Sequence, residues 1–158
     1  MAPTVVVRRS RDCATTVERA FDEVLRYPLP RIFVAKFGPI PAVVGVRDQD
    51  GEWSCVGQTR IIELGDGSQM REELQTVTPG SSFSYELTDL TGPFRLLVCS
   101  IDGRWEFTPS SSGGATVTWS WALHARSTVT GPLVHLVGLI WGGYARRSLD
   151  TIARLLQA

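Results

Sequence analysis

From Ala42 to Arg126 apolar residues recur at every second position in successive short runs, and beyond Gly131-Pro132 the period lengthens to that of a helix. Such a chain builds antiparallel strands from neighbouring runs and must lay its one long helix against them. The runs predict strands over about 42–48, 57–64, 69–78, 81–89, 95–107 and 115–126. Turn residues separate them: Asp50-Gly51, Gly65-Asp66-Gly67, Pro79-Gly80, Gly92-Pro93 and the stretch 109–114. A β-branched, arginine-edged run at 4–10 predicts a further strand ahead of these. Thr15 or Thr16 can cap a helix over 17–26 with the apolar stripe Val17, Ala20, Phe21, Val24 and Leu25, and Pro28 and Pro30 stop it. Residues 31–41 are apolar and rich in Pro and Gly, a connector with room for one helical turn that is expected to pack over other residues.

The long helix opens with Gly131 as cap and Pro132 at its first position. Its first half, Leu133 to Tyr144, is apolar almost all round, which predicts burial under the sheet as the simpler reading, with Leu133–Trp141 surfacing at a cavity mouth to touch lipid or a partner as the alternative. In its second half Ile152, Leu155 and Leu156 oppose Arg146, Arg147, Asp150 and Arg154. Gly138, Gly142 and Gly143 each cost a helix about 1 kcal/mol relative to alanine, which predicts close approach to the sheet there.

One pair of charges interrupts the apolar strand faces. The even positions of 60–64 read Arg60, Ile62, Leu64, and those of 70–74 read Met70, Glu72, Leu74. A three-residue loop with Gly67 left-handed sets Leu64 opposite Ser68 and Arg60 opposite Glu72. A two-residue turn would set Arg60 against Glu73 and pair an apolar face with Arg71, Glu73 and Gln75, so the first register is preferred. A tight type II turn at Pro79-Gly80 sets Thr78 opposite Ser81, Leu74 opposite Tyr85, Glu72 opposite Leu87 and Thr76 opposite Phe83. Asp102-Gly103 reads as a bulge, beyond which Trp105 and Phe107 share a face. Val117, Trp119, Trp121 and Leu123 share one on the last strand. Opposite charges meeting in an apolar field predict the polar floor of a cavity.

At 158 residues the chain is expected to be one domain with a substantial core, and 43% hydrophobic with 20% charged residues is ordinary globular composition. Sixteen basic and 16 acidic residues give no bias toward nucleic acid. Cys13, Cys55 and Cys99 lack metal-ligand spacing and read as reduced, half-buried packing residues of a cytoplasmic protein. His124 falls on the outer face of its strand, where it should be solvated, and His135 reads as a satisfied core or cavity-lining residue rather than a base. No metal or cofactor is implied. Residues 1–9 hold no signal-peptide core, and the longest apolar run, 133–145, falls short of the ~20 residues that span a bilayer, so no stable membrane insertion is expected.

Each candidate has a functional and a plain reading. Arg60 and Glu72 can anchor a ligand, a bidentate pair orienting it through spare donors, or merely satisfy each other as a buried pair that specifies register. Tyr85 can donate to a bound carbonyl or act as a general acid, but its hydroxyl can equally be tied to a neighbour. Trp105, Trp119 and Trp121, with Phe83 and Phe107 nearby, can stack on a flat ligand or fill the core.

The order of elements and the marks Gly57-x-x-Arg60, Asp66-Gly67, Glu72-x-Leu74, Pro79 with Tyr85, Gly103-x-Trp105-x-Phe107 and 115–119 (Ala-Thr-Val-Thr-Trp) resemble the START/Bet v1-like (SRPBCC) superfamily. Within it the chain resembles the polyketide cyclase/dehydrase and lipid-transport group, from Thr4 to Leu156. The resemblance implies an α+β helix-grip fold, a curved antiparallel sheet of about seven strands around a long C-terminal helix, enclosing an elongated apolar cavity. It implies binding, or transport, of a hydrophobic small molecule such as a lipid or polyketide-like compound. The contacting set would be Arg60, Glu72, Leu74, Phe83, Tyr85, Trp105, Trp119, Trp121, Leu136 and Ile140. One alternative is an aromatase/cyclase-type enzyme in which Glu72 and Tyr85 move protons while Arg60 steadies an enolate; binding without catalysis is the preferred expectation. Another is an interaction module whose cavity its own tryptophans fill. Monomer and homodimer are both left open.

Overall fold

Period-two segments become strands because each buries one face and wets the other. The structure, a computed structural model, describes residues 2–157. Its elements are β1 (Thr4–Cys13), α1 (Val17–Arg26), the helical turn α2 (Leu29–Ile32), β2 (Val43–Arg47), β3 (Thr59–Leu64), β4 (Gln69–Thr78), β5 (Ser82–Thr88), a 3-10 turn (Pro93–Leu96), β6 (Val98–Pro109), β7 (Ala115–Ala125) and α3 (Gly131–Gln157). The seven strands form one antiparallel sheet in the order β1-β7-β6-β5-β4-β3-β2. Strands β2 to β7 follow as a meander, and β1 joins the far edge beside β7. The long helix α3 lies along β1 and β7, while α1 leans on β6 and β7 and α2 on β2. This is the α+β helix-grip arrangement expected.

Local chemistry explains the ends. Thr16 accepts from the Arg19 backbone N–H at 3.1 Å and caps α1, whose Ala20, Phe21, Val24 and Leu25 are buried. Pro28 and Pro30 do end α1, yet Pro30 also sits inside the first turn of α2, where a missing N–H costs nothing. The β3–β4 hairpin closes with Gly67 at φ 86° and a Leu64–Ser68 backbone bond of 2.9 Å, and Arg60 lies opposite Glu72 as predicted.

The next hairpin departs from expectation. Leu74 faces Tyr85 and Glu72 faces Leu87, but Thr76 pairs with Ser84, and Val77 rather than Thr76 lies opposite Phe83. Thr78 pairs with Ser82, not Ser81, and the extra loop residue is absorbed by an irregularity at Gln75. The shift turns half-buried Val77 inward and lets Thr76 Oγ1 meet Ser84 Oγ outside. No bulge occurs at Asp102-Gly103, where pairing with both neighbours is regular; the break in β6 falls between Val98 and Ser100.

Val134, Trp141, Ala145, Leu149, Ile152 and Leu156 are the buried spine of α3. A Cβ at Gly138 would lie 3.0 Å from Val7 Cγ2 and one at Gly143 would lie 2.4 Å from Phe37 Cζ, so the bare backbone lets β1 and the connector close on the helix. Burial of the whole first half fails, however. Leu133, Leu136 and Leu139 are 52%, 54% and 73% exposed, and His135 is exposed rather than in the core or on the cavity wall. The sheet covers one side of a helix, and these positions turn away from the Val134–Gly138–Trp141 seam. None of the cysteines is half-buried as expected: Cys13 is buried, and Cys55 and Cys99 are exposed. Among the described residues no helix is long and apolar enough to cross a membrane.

Candidate functional site: a cavity with a polar floor

Facing positions on β3 and β4 bring Arg60 and Glu72 together inside the sheet's concave face, both buried. Arg60 Nε donates to Glu72 Oε1 at 2.7 Å and Nη1 donates to Gln49 Oε1 at 3.1 Å. The pair is therefore joined by one hydrogen bond, not by the bidentate fork that could have oriented a ligand. The guanidinium carbon also stands 3.9 Å from the ring centroid of Trp53, a cation–π contact. Gln49 and Trp53 come from the segment between β2 and β3, which has no period to read. The available signal was a large aromatic amid turn residues, since such a ring is rarely left in water.

One row along, Tyr85 on β5 lies opposite Leu74 and Gly103. A Cβ at position 103 would fall 2.0 Å from Tyr85 Cζ, so Gly103 is the seat of the tyrosine ring, not a bulge. The Tyr85 hydroxyl oxygen accepts from Trp119 Nε1 and from Trp121 Nε1, each at 2.9 Å. Burial, and then the negative charge of Glu72, push the Tyr85 hydroxyl well above the ordinary tyrosine range, although the two indole donors pull it down. It is held as the neutral phenol.

Trp105 stacks on Trp119 with centroids 4.8 Å apart, and Trp121 stacks on Trp141 of α3 at 5.0 Å. Phe83 stacks on Trp105 at 6.2 Å, and Phe33 reaches Trp119 from the connector at 5.2 Å. These rings do not fill the space between sheet and helices, so the reading of a cavity closed by its own tryptophans is not what the structure holds. A cavity of about 390 Å³ remains. Ile62, Met70 and Leu87 wall it from the sheet, Ile32 and Phe33 from α2 and its end, and Val137 from α3.

Of the residues singled out from sequence, Arg60, Glu72, Phe83, Tyr85, Trp105, Trp119, Trp121, Leu136 and Ile140 border this cavity, Leu136 at its exposed rim. Leu74 does not. The segment before β3 bonds to it on both sides (Gly57 N to Leu74 O at 2.8 Å, Leu74 N to Gln58 O at 2.9 Å), and packing there leaves it no exposed surface. His124 is on the opposite face of the sheet as expected, but it is engaged: Nδ1 is 3.0 Å from Thr4 Oγ1 and Nε2 is 2.7 Å from Asp102 Oδ2. Among the described residues no His, Cys, Asp and Glu side chains gather as a metal site would require.

Three segments that supply cavity-lining residues carry a one-sided charge. Arg31, Lys36, Arg95, Arg126, Arg146 and Arg147 are all exposed, and none forms an ion pair among the described residues. Residues 27–47, 90–101 and 125–149 contain no Asp or Glu. Asp66 of the β3–β4 hairpin is the acid other than Glu72 that borders the cavity.

A family described as polyketide cyclase / dehydrase and lipid transport matches residues 4–157. The chain belongs to that family. Solved structures share its fold. Ara h 8.0201 is 13% identical, with a TM-score of 0.71 over 98% of this chain and 99% of that one. Truncated norcoclaurine synthase from Thalictrum flavum is 16% identical, with a TM-score of 0.70 over 98% and 94%. The protein XoxI from Bacillus cereus is 14% identical, with a TM-score of 0.69 over 99% and 96%. At these identities the likeness is one of fold. No curated protein matches the chain.

Proposed function

We propose that this protein binds a hydrophobic small molecule, such as a lipid or a polyketide-like compound, in the interior cavity, and that it holds or carries the compound rather than transforming it. The observation that carries this reading is the cavity of about 390 Å³, apolar along its walls and polar at the Arg60–Glu72–Tyr85 floor. Small-molecule sites occupy about 300–1,000 Å³ and confine polar groups to a few positions. Enclosing apolar ligand surface contributes ~25 cal/mol per Å², against the cost of immobilising the ligand. A norcoclaurine synthase of this fold is known in complex with dopamine and hydroxybenzaldehyde, which supports small aromatic compounds as a class the architecture accommodates.

A cyclase role has less support. Glu72 would have to act as a base while Arg60 Nε holds its Oε1 at 2.7 Å, and Tyr85, whose proton burial binds more tightly, would be a weak acid. Native mass spectrometry of the purified protein, followed by solvent extraction, tests the binding reading. An apolar compound is expected as a mass shift on the intact chain. Val137→Trp, which fills the cavity from α3, should lose it while keeping the circular dichroism of the parent. A parent chain that carries nothing and whose melting temperature no apolar compound raises would overturn the proposal.

A further inference from the structure

The helical wall of the cavity carries a polar group that the rest of the protein leaves unused. Leu133, Val137, Ile140 and Tyr144 recur at helical spacing on one stripe of α3, and all four border the cavity. Leu133 is 52% exposed and Tyr144 5%. The stripe therefore runs from an open end of the cavity to a closed one, roughly 16 Å along the axis at 1.5 Å per residue.

At the closed end the Tyr144 ring stacks on Phe33 with centroids 5.8 Å apart and stands 6.4 Å from Trp119. Its backbone carbonyl accepts from Ser148 Oγ, but among the described residues no hydrogen bond reaches its hydroxyl. Burial alone raises that hydroxyl above the ordinary tyrosine range, with no charge and no hydrogen bond contributing. Among the described residues, the unpartnered side-chain polar atoms sealed inside the protein are the indole nitrogens of Trp53 and Trp141. The Tyr144 hydroxyl is unpartnered without being sealed, so it opens into the cavity that its ring borders. Tyr85 differs, because two indoles already bond its oxygen. A buried phenol with no partner holds a proton in want of an acceptor.

Resting on the binding reading above, we propose that Tyr144 anchors the leading end of the ligand, an uncharged carbonyl oxygen (ketone or aldehyde) that accepts from its hydroxyl at the closed end of the cavity. A carbonyl accepts and has no proton of its own to place. An alcohol and Tyr144 would bring two protons to one shared bond, and the neighbouring rings of Phe33 and Trp119 offer the second proton no acceptor. A carboxylate would bring a charge among rings that hold no counter-charge, while Arg60 is already bonded to Glu72 and Gln49. The apolar body of the compound then lies along Ile140 and Val137 toward Leu133.

Isothermal titration of the unmodified protein with 2-acetylnaphthalene, 2-ethylnaphthalene and 2-naphthoate, at about pH 8 so that the acid is ionised, tests the assignment. The ketone is expected to bind about fivefold more tightly than the hydrocarbon of the same shape, the worth of one neutral hydrogen bond, and the naphthoate to bind most weakly. Tyr144→Phe removes an oxygen that bonds nothing else in the protein, so its melting temperature should not fall. It should cost the ketone that fivefold and leave the affinity of the hydrocarbon unchanged. The infrared carbonyl stretch of the bound ketone should lie lower in the parent than in Tyr144→Phe. A ketone preference that survives Tyr144→Phe, or a hydrocarbon or naphthoate that binds the parent as tightly as the ketone, would overturn the anchor and leave the cavity reading intact. Failure of all three to bind the folded parent or to raise its melting temperature would overturn both.

Discussion

Arg60 is gripped from three directions, by a carboxylate, an amide and an indole face. Its removal leaves Glu72 buried and without its donor, which costs about 3–5 kcal/mol for pairs of this kind, whereas replacing both partners with apolar groups is often neutral. Arg60→Met is thus expected to lower the urea midpoint sharply, and Arg60→Met with Glu72→Leu to recover most of the loss. Equal destabilisation by single and double variants would mean that the pair is not the energetic unit. The pairing was legible in the sequence because Gly67 fixes a three-residue loop and a one-residue slip would expose every apolar neighbour. Gln49 and Trp53 were not legible, since a loop residue's partners depend on where the chain returns in space. Gly103 was read as a bulge because glycine in a strand has two common causes; only the placement of Tyr85 distinguishes them.

At the level of elements, the α3 glycines separate backbone need from incidental contact. A Cβ at Gly138 would press on Val5 Cγ1 at 3.1 Å and Val7 Cγ2 at 3.0 Å, branched side chains of β1 that have little room to turn. At Gly142 the nearest atom is Arg9 Nη2 at 2.4 Å, the far end of a long, flexible side chain whose Nη1 donates to Arg8 O and which makes no ion pair among the described residues. Gly142→Ala is expected to stabilise the protein by up to about 1 kcal/mol through helix propensity, and Gly138→Ala to destabilise it. Opposite signs in chemical denaturation check this; equal shifts would show that packing against β1 does not discriminate the two positions. The existence and order of the strands followed from the period of two, yet the β4–β5 hairpin shows how a turn motif underdetermines pairing. Pro79-Gly80 does make the tight turn, with Ser81 N bonded to Thr78 O at 3.0 Å, but one added residue and one irregularity cancel a few positions later. The exposed leucines of α3 went against the preferred reading for a related reason: an all-apolar helix is most simply buried, and its own sequence does not say which side the sheet leaves uncovered.

The whole molecule responds to alkali through three tyrosines. Tyr85 and Tyr144 are raised above the ordinary range mainly by burial, and Tyr27 by partial burial and its bond to Glu23. Each therefore holds its proton more tightly folded than unfolded. The associated stability is complete below about pH 10, the value of an unfolded tyrosine, and is lost as pH rises toward the folded values. Phenolate absorbance from Tyr85 and Tyr144 is expected to appear only together with loss of far-ultraviolet dichroism. Titration of Tyr85 and Tyr144 near pH 10 in a still-folded chain would contradict their burial. Four of the five tryptophans, 105, 119, 121 and 141, form a chain of ring neighbours 4.7–5.8 Å apart, while Trp53 lies beneath Arg60. Light absorbed by any ring of that chain can hop to the others before it is emitted. The emission should therefore be strongly depolarised even though the rings are held still, and a single quencher lodged on the floor should darken all four at once.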